Sequence, residues 1–111
     1  MGIFKIIKEN EKKQVKELLI LAKKASDLSM KLHDLQTGTN IIDVHIYTLI
    51  REYNSAMYIA YQLKKSIGHS ANDLTFDDGY STVRIQSFFD SQKTSIQTLP
   101  SHIREKIRLP Y

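Results

Sequence analysis

Apolar residues recur at alternating spacings of four and three along residues 42–67, which is the spacing of one face of an α-helix. This stripe consists of Ile42, Ile46, Leu49, Tyr53, Ala56, Ala60, Leu63 and Ile67. A matching stripe lies upstream and consists of Val15, Leu18, Ala22, Ala25, Ser29 and Leu32. Because Gly38 separates the two, the pattern predicts two long helices joined by a short turn and packed side by side in antiparallel orientation.

Local signals set the expected ends of these helices. Helix 1 is predicted over about residues 9–35 and helix 2 over about residues 40–67. Glycine after a helix adopts the left-handed conformation easily, whereas Ser, Thr, Asn and Asp satisfy the free N–H groups where a helix begins. The residues that carry these signals are Gly38 after helix 1, Thr39 or Asn40 with Asp43 at the start of helix 2, and Gly68 after helix 2.

The segment after the second helix has two interpretations. Residues 68–79 are rich in turn formers and are predicted to be irregular, and a third helix is predicted over about residues 80–98. The apolar spacing that supports this helix is carried by Ile85, Phe88, Phe89, Gln92, Ile96 and Leu99. The alternative is a β-hairpin over residues 74–86 that turns at Asp78 and Gly79. The helix is favoured because an isolated two-stranded hairpin is only marginally stable in water.

The expected architecture follows from these elements. Pro100 ends the third segment, and Ser101 can cap a short helix 4 over about residues 101–108. We expect a single all-α domain over residues 1–111, in which the long antiparallel helical hairpin is completed by one or two shorter helices into a three- or four-helix bundle. The α+β arrangement with a small hairpin is the alternative.

Composition narrows the classes of function. The chain has 111 residues with 41% hydrophobic and 25% charged residues, as in ordinary globular domains. The lack of cysteine excludes disulfides, thiolate metal sites and cysteine nucleophiles. The longest uninterrupted apolar run, residues 18–22, is far shorter than the ~20 residues of a membrane span. Acidic Glu9 and Glu11 come too early for a signal peptide, so a cytoplasmic location is expected.

Catalytic and metal-binding patterns are missing from the sequence. It contains no glycine-rich phosphate loop, no His-x-x-x-His pair and no Gly-x-Ser-x-Gly sequence. Adjacent His33 and Asp34 point in different directions on a helix, and His45 and Glu52 are two helical turns apart. We therefore predict that the protein is not an enzyme and needs neither a metal ion nor a cofactor.

The most informative candidate site is a stripe of polar and aromatic residues on helix 2. Tyr47, Arg51, Asn54, Tyr58 and Tyr61 recur at helical spacing beside the apolar seam. Tyrosine and arginine are enriched at the energetic centres of protein interfaces, so the stripe is predicted to bind a protein partner. Two alternatives remain open. The tyrosines can simply lie at the edge of the bundle with their rings buried and their hydroxyl groups in contact with water, or they can stack on the bases of a single-stranded nucleic acid.

The resulting functional hypothesis is a small non-catalytic helical bundle that acts through a helix face, for instance as an adaptor, inhibitor or regulator of phage or plasmid type. Self-association belongs to the same hypothesis, since the apolar face of helix 1 is wider than one neighbour can cover. Small basic immunity proteins against bacteriocins resemble this chain in size and charge only, which gives a membrane-proximal role as one alternative. Nucleic-acid binding is the other, but the net charge of +4 is modest and lysine predominates over arginine.

Overall fold

The structure is a computed structural model that describes the backbone of residues 2–35 and 44–111 and the side chains of residues 10–35 and 44–111. The described elements, in chain order, are α1 (Gly2–Asp34), α2 (Val44–Ile67), a 3-10 turn (His69–Asp73), β1 (Thr75–Asp77), β2 (Thr82–Arg84), α3 (Ile85–Ile96) and α4 (Ser101–Arg104). The predicted turn lies outside the described residues, together with its caps Gly38, Thr39, Asn40 and Asp43.

Helices α1 and α2 form the predicted antiparallel pair and pack along their apolar stripes. At one end of the pair, the Gln14 side-chain amide donates a hydrogen bond to the Ser66 hydroxyl at 2.9 Å. Helix α1 begins at Gly2, seven residues before its predicted start. It has 33 residues, against 24 in α2. Helix α2 stops where predicted, because Gly68 follows it with a φ of 100° that side chains rarely tolerate.

The buried face of α2 is wider than the single predicted seam. Leu49, Tyr53, Ala56 and Ala60 are buried as expected from the stripe. Ile50 and Met57 are buried as well, and both lie on the flank of that stripe. Helix α2 therefore packs on α1 and also contacts α3 and the C-terminal residues, for example through the Tyr53–Gln92 and Asn54–Lys106 hydrogen bonds.

The segment before α3 corrects one prediction. The helix predicted to start near residue 80 begins at Ile85, and residues 75–84 form the alternative hairpin instead. Strands β1 and β2 pair antiparallel, with Phe76 opposite Val83. Helix α3 begins at Ile85, the residue directly after β2. The N–H of Ile85 donates to the carbonyl of Leu74 at 2.8 Å, so the first residue of the helix is still bonded to the hairpin. The predicted irregular stretch 68–79 likewise contains the 3-10 turn and β1.

Side chains of the hairpin loop explain why it does not become helical. The Asp77 carboxylate accepts the N–H of Gly79, and the Asp78 carboxylate accepts those of Tyr80 and Ser81, each at 2.8 Å. These backbone bonds hold the pKa of Asp78 below its usual range. The bonds use N–H groups that a helix would need, so the aspartates favour the turn.

We predict that Gly79→Ala lowers the free energy of unfolding by about 1–2 kcal/mol, because Gly79 has a φ of 100° that costs an L-residue this much. A Cβ there would lie 3.5 Å from Lys23 Nζ, an ordinary contact, so the loss is one of backbone conformation. Urea unfolding followed by circular dichroism measures it. The control is Tyr80→Ala, which truncates an 85% exposed neighbour and should change stability by less than about 0.5 kcal/mol. Equal losses in the two variants would contradict the prediction.

The chain ends in a short helix and an ordered tail. Helix α4 covers only Ser101–Arg104 of the predicted residues 101–108. Ile103 and Ile107 are nevertheless buried, at 1% and 7% exposure. Residues 105–111, called the tail below, therefore lie against the helices, and they complete the side of the core that α2 and α3 share.

Candidate functional site

The predicted stripe on α2 is divided by the structure into an outer and an inner group. Tyr47 and Tyr58 are 49% and 57% exposed, and Arg51 is exposed between them. Asn54 and Tyr61 are only half-exposed, because the tail lies against them. The five residues share one side of the helix, as their spacing predicted, but two of them face this chain's own tail.

The outer group forms an aromatic and cationic edge. The Arg51 guanidinium carbon lies 6.0 Å from the centre of the Tyr47 ring, at cation–π distance. Arg51 forms no ion pair with any residue that the structure describes. An open cleft of about 470 Å³ runs along this edge and is lined by Thr48, Arg51, Glu52, Asn54 and Ser55. The edge thus offers two ring surfaces, a guanidinium that forms no ion pair with the described residues, and a groove.

Asn54 clamps the backbone of the tail. Its side-chain amide donates to the carbonyl of Lys106 at 3.0 Å, and its carbonyl oxygen accepts the N–H of Arg108 at 2.9 Å. A single asparagine therefore satisfies two backbone groups more than fifty residues away in sequence. Helical spacing places Asn54 on the stripe but carries no signal for this long-range partner.

Tyr61 belongs to an aromatic cluster that fixes the end of the tail. Its ring centre lies 6.0 Å from that of Phe89 and 5.2 Å from that of Tyr111. The Tyr111 hydroxyl donates to the Phe89 carbonyl at 2.6 Å. Burial raises the pKa of Tyr111, aided by the charge of Asp90, so its phenol keeps the proton that it donates.

Three lysines border this aromatic cluster. Lys64 Nζ lies 6.0 Å from the centre of the Tyr61 ring, and Lys65 Nζ lies 5.6 Å from it. Lys93 Nζ lies 5.3 Å from the centre of the Tyr111 ring. Within the described part of the chain, none of the three pairs with a carboxylate. The side of the molecule formed by α2, α3 and the tail is consequently basic as well as aromatic.

The histidine with the most contacts has a structural environment. His33 Nδ1 lies 2.7 Å from the carbonyl of Ser29, and its Nε2 lies 3.1 Å from the carbonyl of Ser95 and 3.0 Å from the Thr98 hydroxyl. Nδ1 therefore bonds within α1, and only Nε2 ties α1 to the end of α3 and to Thr98 just after it. Sequence spacing gave no indication of this contact, because its partners lie more than sixty residues downstream.

Two further features bear on what the site can do. Over residues 10–35 and 44–111, no three His, Asp or Glu side chains are placed to share a metal ion. In the same part of the chain, no helix has both the length and the apolar character needed to cross a membrane.

Comparisons with models of protein families, with curated proteins and with solved structures each gave no match.

Proposed function

We propose that this protein acts without catalysis, by binding another protein through the outer edge of α2. The observation that carries the proposal is the exposure of Tyr47 and Tyr58 on either side of Arg51. Tyrosine and arginine supply large contact areas with polar ends, and they dominate the binding energy of many protein interfaces. A cytoplasmic location is part of the proposal, and the lack of cysteine favours it.

Rigid support makes this edge suited to recognition. The opposite face of α2 is buried, with Tyr53, Met57 and Ala60 each at most 1% exposed. Asn54 and Tyr61 hold the tail beside the edge, and we propose that they contribute to binding through that support. A surface that is already ordered loses little conformational entropy on association, so more of its contact energy appears as affinity.

Self-association is the variant of this proposal in which the partner is a second copy of the chain. Its supporting observation is on α1, where Ile20 is 58% exposed and half-exposed Val15 and Leu19 line an open cleft of about 460 Å³. Apolar side chains in a cleft on a helix favour contact with another apolar surface.

The test uses paired substitutions on the proposed edge. Tyr58→Ala and Arg51→Ala are each expected to weaken partner binding by at least tenfold, or about 1.4 kcal/mol, as at interface hot spots. Because both side chains are exposed, each variant should keep its free energy of unfolding within about 0.5 kcal/mol. A photo-crosslinking amino acid at position 58, in an extract of the cells that make the protein, captures the partner for these affinity measurements.

The control places the same crosslinker at exposed Ser87 on α3, away from both proposed surfaces. Capture from position 58 alone, abolished by Arg51→Ala, is the expected result, and recovery of a differently tagged copy of the chain identifies self-association. Equal capture from both positions would reject the edge as a specific site. A loss of several kcal/mol in stability on Tyr58→Ala would show that this tyrosine belongs to the core.

A further inference from the structure

A third cleft lies between α3, α4 and the tail, and none of the described residues that line it belongs to α2. Its volume is about 380 Å³, which is within the range of sites for small ligands or a few side chains. Ile96 and Ile107 form an apolar floor, with only 6% and 7% of their surface exposed, and half-buried Leu109 extends it. Tyr111 supplies one wall.

The two cationic side chains among the described residues that line the cleft are Lys93 and Arg104. None of these described lining residues is acidic. Arg104 Nη1 donates to the Gln97 carbonyl at 3.2 Å, and this bond leaves the other guanidinium N–H groups available. Neither cation forms an ion pair in the described part of the chain. Asp90, one turn before Lys93 on α3, accepts a hydrogen bond from Gln86.

This combination specifies the ligand chemistry. Two cations that form no ion pair in the described part of the chain attract an anion to the cleft, and the apolar floor on one side reduces the screening of that attraction by solvent. The guanidinium fork matches a carboxylate, and the isoleucines match an aliphatic or aromatic group attached to it. Acidic side chains alternating with apolar ones on an extended peptide present both groups together.

We propose that the cleft binds an acidic segment of a partner protein, with a carboxylate between Lys93 and Arg104 and a neighbouring apolar side chain on the isoleucine floor. A peptide fits better than a single-stranded nucleic acid. Bases need a free ring face for stacking, whereas the Tyr111 ring already packs against Tyr61 and Phe89. The proposal is independent of the outer edge of α2, since it uses none of Tyr47, Arg51 and Tyr58.

The test measures binding of defined probes by fluorescence polarisation. The probe is a fluorescein-labelled peptide of three Gly-Asp-Leu-Glu repeats, compared with its Gly-Asn-Leu-Gln counterpart and with an oligothymidylate of the same length. The double variant Lys93→Glu with Arg104→Glu should weaken binding of the acidic peptide by tenfold or more, about 1.4 kcal/mol. The matched control is Lys24→Glu with Lys31→Glu, which changes the net charge equally at two exposed positions of α1 and should change affinity less than about twofold.

Further measurements make each outcome decisive. Amide NMR shifts should change at residues 93–97, 104–109 and 111 on peptide addition, and Tyr58→Ala should leave the peptide affinity unchanged. If circular dichroism shows that the charge reversal unfolds the protein, Lys93→Gln with Arg104→Gln replaces it. The proposal is overturned if the wild-type protein does not bind the acidic peptide, if the two double variants lose affinity equally, or if the oligothymidylate binds more tightly than the peptide.

Discussion

Replacing Phe89 with alanine is expected to lower the free energy of unfolding by about 3–5 kcal/mol, the usual cost of removing a buried phenylalanine. Phe89 is 2% exposed, and its ring makes edge-to-face contacts with Phe88, Tyr61 and Tyr111 at centre distances of 5.5, 6.0 and 5.5 Å. The substitution therefore removes contacts to α2, α3 and the tail at once. Urea unfolding monitored by circular dichroism gives the magnitude.

Phe88→Ala is the matched control for this prediction. Phe88 is 3% exposed on the same helix, and its ring also contacts Phe76 of β1, at 5.4 Å. Both variants should lose comparable stability, but only Phe89→Ala should loosen the tail and speed tryptic cleavage after Arg108. Equal cleavage rates in the two variants, or a loss below about 1 kcal/mol for Phe89→Ala, would show that the aromatic cluster does not anchor the tail.

The long helices were predictable because their information is local. A three-four spacing of apolar residues marks one helix face wherever it occurs, and Leu18, Ala22, Ala25 and Leu32 of the α1 stripe are buried in the structure. The same spacing says little about the flanks. Met57 is fully buried although it lies beside the predicted seam of α2, so the buried face of the helix is wider than the spacing alone indicates.

The hairpin was the less favoured prediction for a reason that does not apply in the folded protein. An isolated two-stranded hairpin is only marginally stable in water, but this one packs against α1 and α3. The Phe76 side chain is 7% exposed and packs on Phe88, and Lys23 of α1 donates to the Asp78 carbonyl at 3.3 Å. The decisive contacts come from α1 and α3, whose positions relative to the hairpin cannot be read from periodicity.

The candidate site shows the same division between local and long-range information. Helical spacing places all five stripe residues on one side of α2, as the structure has them. Which of them remain exposed depends on the tail, whose Lys106 and Arg108 backbone groups bond to Asn54. The basic cleft formed by Lys93 and Arg104 was not predicted either, because its two cations are eleven residues apart and belong to different helices.

The second large effect is expected in alkaline solution, where Tyr53 should make the fold sensitive to pH. Its hydroxyl donates to the Gln92 side-chain carbonyl at 2.5 Å, and the residue is 1% exposed. Burial raises the pKa of Tyr53 above its ordinary value of 10.0, with a smaller contribution from Tyr111. The folded state thus keeps the proton to higher pH than the unfolded chain does. This contribution to stability is complete below about pH 10 and falls by up to about 1.4 kcal/mol per pH unit above it, as the unfolded phenol ionises.

Tyr53→Phe separates this effect from all other alkaline titrations. At neutral pH it should cost about 1–3 kcal/mol, because the Gln92 carbonyl oxygen loses its buried donor. Above about pH 10, urea unfolding of the variant should lose stability more slowly than the wild type, since one ionisation is removed from the unfolded state. Tyr58→Phe, at a 57% exposed position, should follow the wild type throughout. Parallel losses in Tyr53→Phe and wild type above that pH would mean that Tyr53 ionises equally in both states, and its burial would then have no part in alkaline unfolding.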